Sequence, residues 1–328
     1  MVTQATRWQI KDRRNMIYFA PLEGITTYLY RRVHQKYFSS VDKYFTPFLA
    51  VNQNHRFKQR EKNEFLPEEN PVPPVPQFLA KSPEDFLWGV EALQGYGYRE
   101  INLNTGCPSA TVVTKGKGAG MLADPDRLDA FFSKVFEKKP KDCCISIKTR
   151  IGMEDEAELG KLIDIWNRYP LQEIIVHPRL REDYYDHAPR MDAFRRCISD
   201  CSASVCYNGE IQSCSDHVHF RSMFPEVSAV MIGRGLIANP ALAREIKGGE
   251  PLRLDELKAF HDDLFDGYTE IMAGERDVLF KMKDLWTYMS QMFQEEETVL
   301  KRIRRSKDFS EYRVAVGKAW MTGLNNIY

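Results

Sequence analysis

The 328-residue chain carries 46 Lys and Arg residues against 46 Asp and Glu residues, so its formal net charge is zero. Apolar residues make up 43% of the sequence, a globular composition that excludes disordered, collagen-like and coiled-coil classes. Zero net charge argues against a simple polycationic nucleic-acid binder. The length allows one α/β domain of about 250 residues with a small appendage, or two domains of about 150 residues.

No apolar run in the sequence approaches the roughly 18 residues that a membrane-spanning helix needs, and residues 1–14 are polar. We therefore expect a soluble cytoplasmic protein without membrane contact. The seven cysteines are odd in number and irregularly spaced, which favours reduced thiols over a disulfide framework. Cysteines and histidines are close together in the segment 201–219, but the segment has no C-x-x-C pair, so we expect no metal site. These residues are Cys201, Cys206, Cys214, His217 and His219.

Short apolar segments alternate with helix-period segments as far as residue 246. Eight candidate strands cover 16–20, 41–45, 75–79, 100–103, 144–149, 173–176, 205–207 and 229–232. Eight β/α units in about 240 residues predict an α/β fold of the (β/α)8 TIM-barrel type. A doubly wound open sheet is the alternative, because spacing alone does not show that a sheet closes.

The strand signal stops after Ile246, where the sequence KGGEPLR supplies two glycines and a proline. Beyond residue 252, apolar residues recur at spacings of three and four, the pattern of amphipathic helices. We therefore predict a TIM-barrel domain at 1–247 followed by a small C-terminal all-α helical bundle at 248–328.

Polar residues follow the predicted strands at the end where parallel barrels place their functional groups. Lys148 would point into the barrel mouth, as a Schiff-base nucleophile or as a stabiliser of negative charge on a bound ring. Residues 208–210 (Asn-Gly-Glu) and 233–235 (Gly-Arg-Gly) follow the last two strands, where barrels commonly bind phosphate. These two segments predict a phosphorylated cofactor.

Three further residues are candidates for acid chemistry or anion binding. His177 and Arg179 follow the sixth strand and suit a proton donor or phosphate contact beside a substrate clamp, although a lone histidine is often a satisfied core residue. Cys107 lies in the loop after the fourth strand, and a thiol that is protonated at neutral pH can act as a general acid. The next segment, 115–120, has two lysines and three glycines, which predicts a flexible, basic, lid-like loop.

Seven motifs follow one another along the barrel part of the sequence: APLEGIT (20–26), NLNTGCPS (102–109), KGKGAGMLADP (115–125), IKTRIG (147–152), VHPR (176–179), YNGEI (207–211) and VMIGRGLIANP (230–240). In sequence and order they resemble those of the dihydrouridine synthase family, flavin-dependent enzymes that reduce uridine in RNA, classically tRNA. The helical tail resembles the family's C-terminal RNA-binding domain, but less closely than the barrel motifs resemble theirs. Pro178 and Glu23 depart from the family pattern, which leaves subtype and substrate open.

The resemblance implies a role for each matching residue. Cys107 matches the catalytic acid, Asn104 an asparagine near flavin and substrate, and Arg179 a contact for uridine or its phosphate. Lys148 matches a contact to the isoalloxazine ring of FMN. The other matches are contacts along the flavin, at its ring or at its ribityl phosphate, and they are Pro21, Leu22, Glu23, Gln77, His177, Asn208, Gly209, Glu210, Gly233 and Arg234.

The reaction that the resemblance implies is reduction of specific uridines in tRNA to 5,6-dihydrouridine. NADPH would reduce FMN, hydride would pass from flavin N5 to uracil C6, and Cys107 would protonate C5. Lys148 would stabilise the anionic reduced flavin. Because the sequence has no dinucleotide fingerprint, the nicotinamide would visit the flavin transiently. The uracil must leave its stack to reach such a site, so a large RNA-contacting surface is expected.

Basic side chains concentrate at the end of the chain. Residues 251–300 carry 5 basic and 12 acidic side chains, whereas residues 301–328 carry 7 and 2. We expect RNA phosphates to bind there, with strong salt dependence; a solvated helix face is the alternative. The proposed contacts, on overlapping faces of one predicted helix, are Lys301, Arg302, Arg304 and Arg305.

Three other functions stay open at this point. The substrate could be ribosomal RNA instead of tRNA. The barrel could also be a small-molecule FMN ene or pyrimidine reductase similar to dihydroorotate dehydrogenase, which needs no RNA-binding tail. A non-catalytic barrel that binds RNA is the third option, and the joint presence of Cys107, Lys148, His177 and Arg234 argues against it. We expect a monomer.

Overall fold

The computed structural model describes residues 15–51 and 53–325. In these ranges eight parallel strands form one sheet in the order β2-β1-β8-β7-β6-β5-β4-β3. Each predicted strand is present, with bounds that differ by a few residues at most. The strands are β1 (Met16–Phe19), β2 (Lys43–Tyr44), β3 (Gln77–Phe78), β4 (Glu100–Thr105), β5 (Cys144–Arg150), β6 (Glu173–His177), β7 (Ser204–Tyr207) and β8 (Ala229–Ile232).

The sheet closes on itself where the segments of β2 and β3 meet. Parallel bridges join Phe45 to Val75 and Leu49 to Phe78, and the Leu49 N–H donates to the Gln77 carbonyl at 2.8 Å. Closure confirms the predicted TIM barrel and excludes the open doubly wound sheet. Isolated bridges, and not a continuous ladder, join these two segments, which we call the β2–β3 seam.

Helices fill the connections between strands and then continue beyond the barrel. Two of them show why they begin where they do: Pro83 and Pro125 follow Ser82 and Asp124, whose side chains cap the first turn. The helices are α1 (Tyr28–Tyr37), α2 (Gln59–Asn63), α3 (Pro83–Gln94), α4 (Ala110–Val113), α5 (Pro125–Lys138), α6 (Leu159–Trp166), α7 (Met191–Asp200), α8 (Cys214–Met223), α9 (Arg234–Ala238), α10 (Leu242–Ile246), α11 (Leu254–Ile271), α12 (Glu275–Met289), α13 (Glu296–Arg305) and α14 (Phe309–Thr322).

The strand side chains alternate between two environments, as a pleated strand requires. On β4 and β5, Ile101, Leu103 and Ile147 belong to the large apolar core between sheet and helices. Residues of the opposite parity face the barrel interior, which is apolar on one side and polar on the other. The apolar side has Tyr18, Ala20, Phe45, Val75, Ile175, Cys206, Ala229 and Met231, and the buried polar side has Gln77, Asn102, Asn104 and Ser146.

The tail is helical, as predicted, and it contacts the barrel. Within the tail, the hydroxyl of Tyr312 accepts from Trp286 Nε1 at 2.9 Å and bonds His261 Nε2 at 2.8 Å. Lys281 on α12 donates to the Gly24 carbonyl at 2.5 Å, so α12 lies against the loop that follows β1. Among the described residues, no helix has the length and apolar character needed to cross a bilayer.

Candidate active site

Cys107 lies in the loop that follows β4, and its backbone is held by two polar side chains. The N–H groups of Cys107 and Gly106 both donate to Asn104 Oδ1, at 2.9 Å and 3.1 Å. Arg150 Nε donates to the Gly106 carbonyl at 3.1 Å. The thiol side chain is partly exposed, so a fixed loop presents it to a ligand in the barrel mouth.

The glycine-rich segment 115–120 packs against this loop. The Ala119 N–H donates to the Cys107 carbonyl at 3.0 Å. Gly118 has φ +56°, and a Cβ there would lie 2.9 Å from the Cys107 carbonyl oxygen. Lys117 donates to two backbone carbonyls beyond β2 and β3, each at 3.2 Å. This segment, predicted to be a flexible, basic, lid-like loop, supports the Cys107 loop in the structure.

Lys148 faces the same part of the interior. It is the register partner of Asn104 across β4 and β5. Burial, with Arg150 nearby, lowers the pKa of Lys148 to about 8. Within residues 15–51 and 53–325 its ammonium makes no hydrogen bond or ion pair, so it is available to a ligand beside Cys107.

His177, Arg179 and Glu210 form a connected group after β6 and β7. Arg179 donates to His177 Nε2 and to Glu210 Oε1, both at 2.7 Å, and Arg234 donates to the same Glu210 oxygen at 2.6 Å. Burial, with Lys148 and the arginines nearby, holds the pKa of His177 well below its ordinary value. Its Nε2 accepts a hydrogen bond, so the proton of the neutral ring is on Nδ1. The structure thus favours a hydrogen-bonding role for His177 over proton donation.

Two glycine turns leave backbone amides available beside this group. A Cβ on Gly209 would overlap Tyr207, and a Cβ on Gly233 would crowd Leu22 at 3.3 Å. The N–H groups of Gly209, Gly233 and Arg234 donate to no acceptor in the described part of the chain. Free amides next to a guanidinium suit a phosphate group.

Other barrel residues that were predicted to contact the flavin lie in the loops after β1 and β7. Pro21 and Leu22 follow β1 and are partly buried. Asn208 donates to a backbone carbonyl of β8 at 2.8 Å, which ties the ends of β7 and β8 together. Glu23 is exposed and forms an ion pair with Arg60 at 3.0 Å. Its predicted place along the flavin stays a prediction.

The four predicted tail cations form a separate surface on α13, which we call the α13 cation cluster. All four are exposed, and none pairs with a carboxylate of the described residues. Arg304 donates to Thr287 on α12 at 3.3 Å. No contact within the described ranges connects the cluster, made of Lys301, Arg302, Arg304 and Arg305, to the Cys107 loop or to His177.

Arg150 is a part of the site that we did not predict. Its side chain is only 1% exposed, and it donates to carbonyls of Gly106, Leu180 and Tyr184 at 3.1, 2.6 and 2.6 Å. It therefore joins the Cys107 loop to the loop after β6. The sequence did contain a signal for its position. Arg150 follows Lys148 by two residues at the end of a predicted strand, and alternate residues of a strand share a face.

Tyr185 is the second residue that sequence reasoning missed, because it lies in a loop without any pattern. It follows Tyr184, which has φ +44°, and its side chain is 55% exposed. Its ring centre lies 5.9 Å from that of His177. The guanidinium carbons of Arg150 and Arg234 lie 5.4 and 5.5 Å from that ring centre. An exposed aromatic face between cations suits stacking with a nucleobase.

The site as a whole is cationic. Lys148, Arg150, Arg179 and Arg234 all lie close enough to lower the pKa of His177, and Glu210 is the carboxylate within the group. Such an arrangement stabilises negative charge that develops during a reaction. In the described ranges, no three metal-ligating side chains are grouped around one point.

Solved structures with a similar fold include morphinone reductase, with a TM-score of 0.51, 12% identity, and coverage of 73% of this chain and 87% of that protein. An old yellow enzyme from Trypanosoma cruzi gives a TM-score of 0.50, 11% identity, and coverage of 72% and 89%. At these identities the likeness shows the barrel fold alone.

Similar sequences come from several bacteria. A tRNA-dihydrouridine(16) synthase of Pseudomonas syringae pv. tomato is 26% identical over 317 residues, which cover 92% of this chain and 98% of that protein. A tRNA-dihydrouridine(16) synthase of Neisseria meningitidis is 25% identical over 224 residues, which cover 66% and 67%. The family model described as Dihydrouridine synthase (Dus) matches residues 18–318, the barrel and most of the tail. This chain belongs to the dihydrouridine synthase family.

Proposed function

We propose that this protein is a tRNA-dihydrouridine synthase that uses FMN and NADPH to reduce specific uridines. The observation that carries the proposal is the partly exposed Cys107 thiol at the mouth of a cationic barrel, on a loop whose backbone bonds to Asn104. Residues 1–247 would form the FMN-binding catalytic domain and residues 248–328 the RNA-binding domain. Family membership and the bacterial relatives named above support tRNA as the substrate.

The residues present fit FMN. Free amides at Gly209 and Gly233, with the Arg234 guanidinium, would hold the phosphate. Gln77 and Lys148 would contact the flavin ring from the polar side of the interior. When bound, FMN supplies hydride chemistry that no side chain provides.

The chain's own side chains would perform the other tasks of the reaction. Cys107 holds the proton that uracil C5 receives. With a pKa of about 8, Lys148 is mainly an ammonium at neutral pH and offsets negative charge beside it. His177, as a neutral imidazole, would donate a hydrogen bond from Nδ1 and retain its proton. Arg179 stays positioned by Glu210, at 2.7 Å.

Two surface features favour RNA over a free pyrimidine. Tyr185 offers an exposed aromatic face at the mouth, on which an unstacked base can lie. The α13 cation cluster has no carboxylate partner among the described residues, so its charge is available to phosphates. A small-molecule reductase would need neither feature.

The test uses purified, FMN-loaded protein with NADPH and tRNA that lacks dihydrouridine. Nucleoside mass spectrometry should show dihydrouridine in tRNA, and free uridine should not react. Cys107→Ala should still bind FMN and oxidise NADPH but form no dihydrouridine. Cys144→Ala, which removes an exposed thiol, is the matched control and should remain active. Full activity of Cys107→Ala, or equal turnover of free uridine, would contradict the proposal. Ribosomal RNA as the better substrate would contradict its tRNA assignment.

A further inference from the structure

A chain of hydrogen bonds runs from the Cys107 loop into the barrel interior. As described, the Cys107 N–H donates to Asn104 Oδ1. Asn104 Nδ2 donates to Gln77 Oε1 at 2.8 Å, and Gln77 Nε2 donates to Asn102 Oδ1 at 2.9 Å. Gln77 is 1% exposed and Asn102 is fully buried, so solvent cannot replace these bonds.

The chain then continues to the amino end of the strands. Asn102 Nδ2 donates to Ser146 Oγ at 3.0 Å, and Ser146 Oγ donates to Glu100 Oε1 at 3.2 Å. Lys43 donates to the other carboxylate oxygen of Glu100 at 2.8 Å. We call Asn104, Gln77, Asn102, Ser146 and Glu100 the interior chain.

Strand geometry explains why these side chains meet. Glu100, Asn102 and Asn104 alternate along β4, so they share the interior face. The register pairs Asn102 with Gln77 on β3 and with Ser146 on β5. The polar side of the interior is therefore a continuous line from one end of the barrel to the other.

The direction of every bond in the interior chain is fixed at its two ends. At the upper end, a backbone N–H of Cys107 can only donate, so Asn104 must present its oxygen. At the lower end, the Glu100 carboxylate paired with Lys43 can only accept. Each amide between these ends consequently has one allowed orientation. Aligned bonds in a buried, low-dielectric interior also strengthen one another.

We propose that Asn102, Ser146 and Glu100 are positioning residues for Cys107. They hold Gln77 and Asn104 in the orientation that places the Cys107 loop at the barrel mouth, although none of the three lies at the mouth itself. The proposal rests on the proposed role of Cys107 as the acid. A role in stability alone would predict that these residues have no selective effect on Cys107.

The test interrupts the interior chain at points remote from the thiol. Ser146→Ala removes the link between Asn102 and Glu100, and Glu100→Gln replaces the terminal acceptor by an amide that can turn. Glu100→Asp retains the charged acceptor and should recover most of the wild-type behaviour. Tyr18→Phe is the matched control, because the Tyr18 hydroxyl donates to Glu173 at 3.0 Å in the same interior but outside the chain.

Two readouts are compared across these variants. Iodoacetamide labelling of the FMN-loaded protein, mapped by peptide mass spectrometry, should change at least threefold at Cys107. Labelling of the partly exposed Cys201 and Cys214 should remain the same, which excludes general loosening. Reoxidation of the reduced protein by tRNA should slow tenfold or more in Ser146→Ala and Glu100→Gln. Reduction by NADPH should stay within twofold of wild type.

The outcomes separate this inference from the proposed function. Unchanged Cys107 labelling and tRNA-dependent reoxidation in the two variants would overturn the inference, as would an equal change at all three cysteines or the same effects in Tyr18→Phe. If wild-type protein does not react with tRNA, the proposed function fails, and the labelling of Cys107 still decides on the positioning role. If Ser146→Ala does not fold, Glu100→Gln and Glu100→Asp provide the decision.

Discussion

Lys148 keeps an ammonium group in a site that already contains three arginines. Its pKa of about 8 in the folded protein lies below the ordinary value of 10.5. Below pH 8 the charged group destabilises the folded state in full, and between pH 8 and 10.5 this penalty disappears as the folded protein releases the proton first. Charge that would serve an anionic ligand thus reduces the stability of the ligand-free protein.

We expect Lys148→Met to raise the free energy of unfolding of the FMN-free protein at pH 7 by on the order of 2–3 kcal/mol. The gain should shrink as the pH rises from 8 towards 10.5. Urea unfolding at several pH values measures it. Lys134→Met removes an exposed lysine from an outer helix and should change stability by less than about 0.5 kcal/mol. A gain that grows above pH 8 would contradict the assignment.

Gly118 is the second residue whose environment makes a sharp prediction. Its φ of +56° disfavours other residues, and a Cβ would come within 3.0 Å of the Cys107 Cβ. Gly118→Ala should therefore displace Cys107 and lower dihydrouridine formation at least tenfold. Gly97→Ala is the control, because Gly97 also has a positive φ but a Cβ there would meet no atom within 4 Å. Equal activity of both variants in the tRNA assay would refute this reasoning.

At the scale of elements, a buried ion pair anchors α1 to the segment that contains α2. Arg31 is 2% exposed and donates to the Glu64 carboxylate at 2.8 Å and to the Asn70 side chain at 2.8 Å. Burial lowers the pKa of Arg31 and raises the pKa of Glu64. Neither group can lose its partner without leaving a buried charge or polar group unpaired.

Arg31→Met should destabilise the protein by about 3–5 kcal/mol, because it leaves Glu64 buried without its cation. The neighbouring Arg32 pairs with Glu69 at 3.0 Å near the surface, and Arg32→Met should cost less than about 1 kcal/mol. Chemical denaturation of both variants at pH 7 measures the difference. Similar losses in the two variants would show that burial of the Arg31 pair does not matter.

Elements were predictable from sequence where a local pattern specifies them. The apolar segment 100–103 and the three- and four-residue spacing of apolar residues beyond residue 252 are local signals, and the structure has β4 and the tail helices there. The strand position of Arg150 could be inferred from its spacing to Lys148, but its partners could not, because they belong to loops that follow different strands. Tyr185 has no such signal. Glu23 was placed along the flavin by the family resemblance, and its pairing with Arg60 depends on a distant segment. Contacts between loops carry no periodicity that a sequence could reveal.

At the scale of the whole molecule, neutral overall charge conceals a separation of charges. The α13 cation cluster is exposed and without carboxylate partners in the described ranges, whereas acidic residues dominate the first half of the tail. Net charge alone would have argued against a nucleic-acid partner. The distribution of charge, with an exposed aromatic residue at the barrel mouth, supports one.

Replacing Lys301, Arg302, Arg304 and Arg305 by Gln should weaken tRNA binding at least tenfold at physiological salt. The slope of log Kd against log salt should also fall, since each lost phosphate contact removes roughly 0.7–0.9 from it. Filter binding at several salt concentrations measures both. Four exposed lysines of the outer barrel region, Lys134, Lys138, Lys141 and Lys161, form the control set and should stay within twofold. An unchanged slope in the α13 variant would show that tRNA phosphates do not bind the α13 cation cluster.

The β2–β3 seam has a consequence for how the barrel moves. Isolated bridges close the barrel there, so local opening should begin at this seam, and amide hydrogen exchange should be fastest around it among the strands. Gln77 lies on the seam and also within the interior chain. The bonds from Gln77 to Asn102 and Asn104 lie on the β4 side and would survive an opening. The Lys43–Glu100 ion pair joins β2 to β4 across the seam, so an opening would break it and release the lower end of the interior chain. A flavin bound against Gln77, as proposed, should slow this opening. Cofactor binding would then also keep the interior chain, and with it the Cys107 loop, in place.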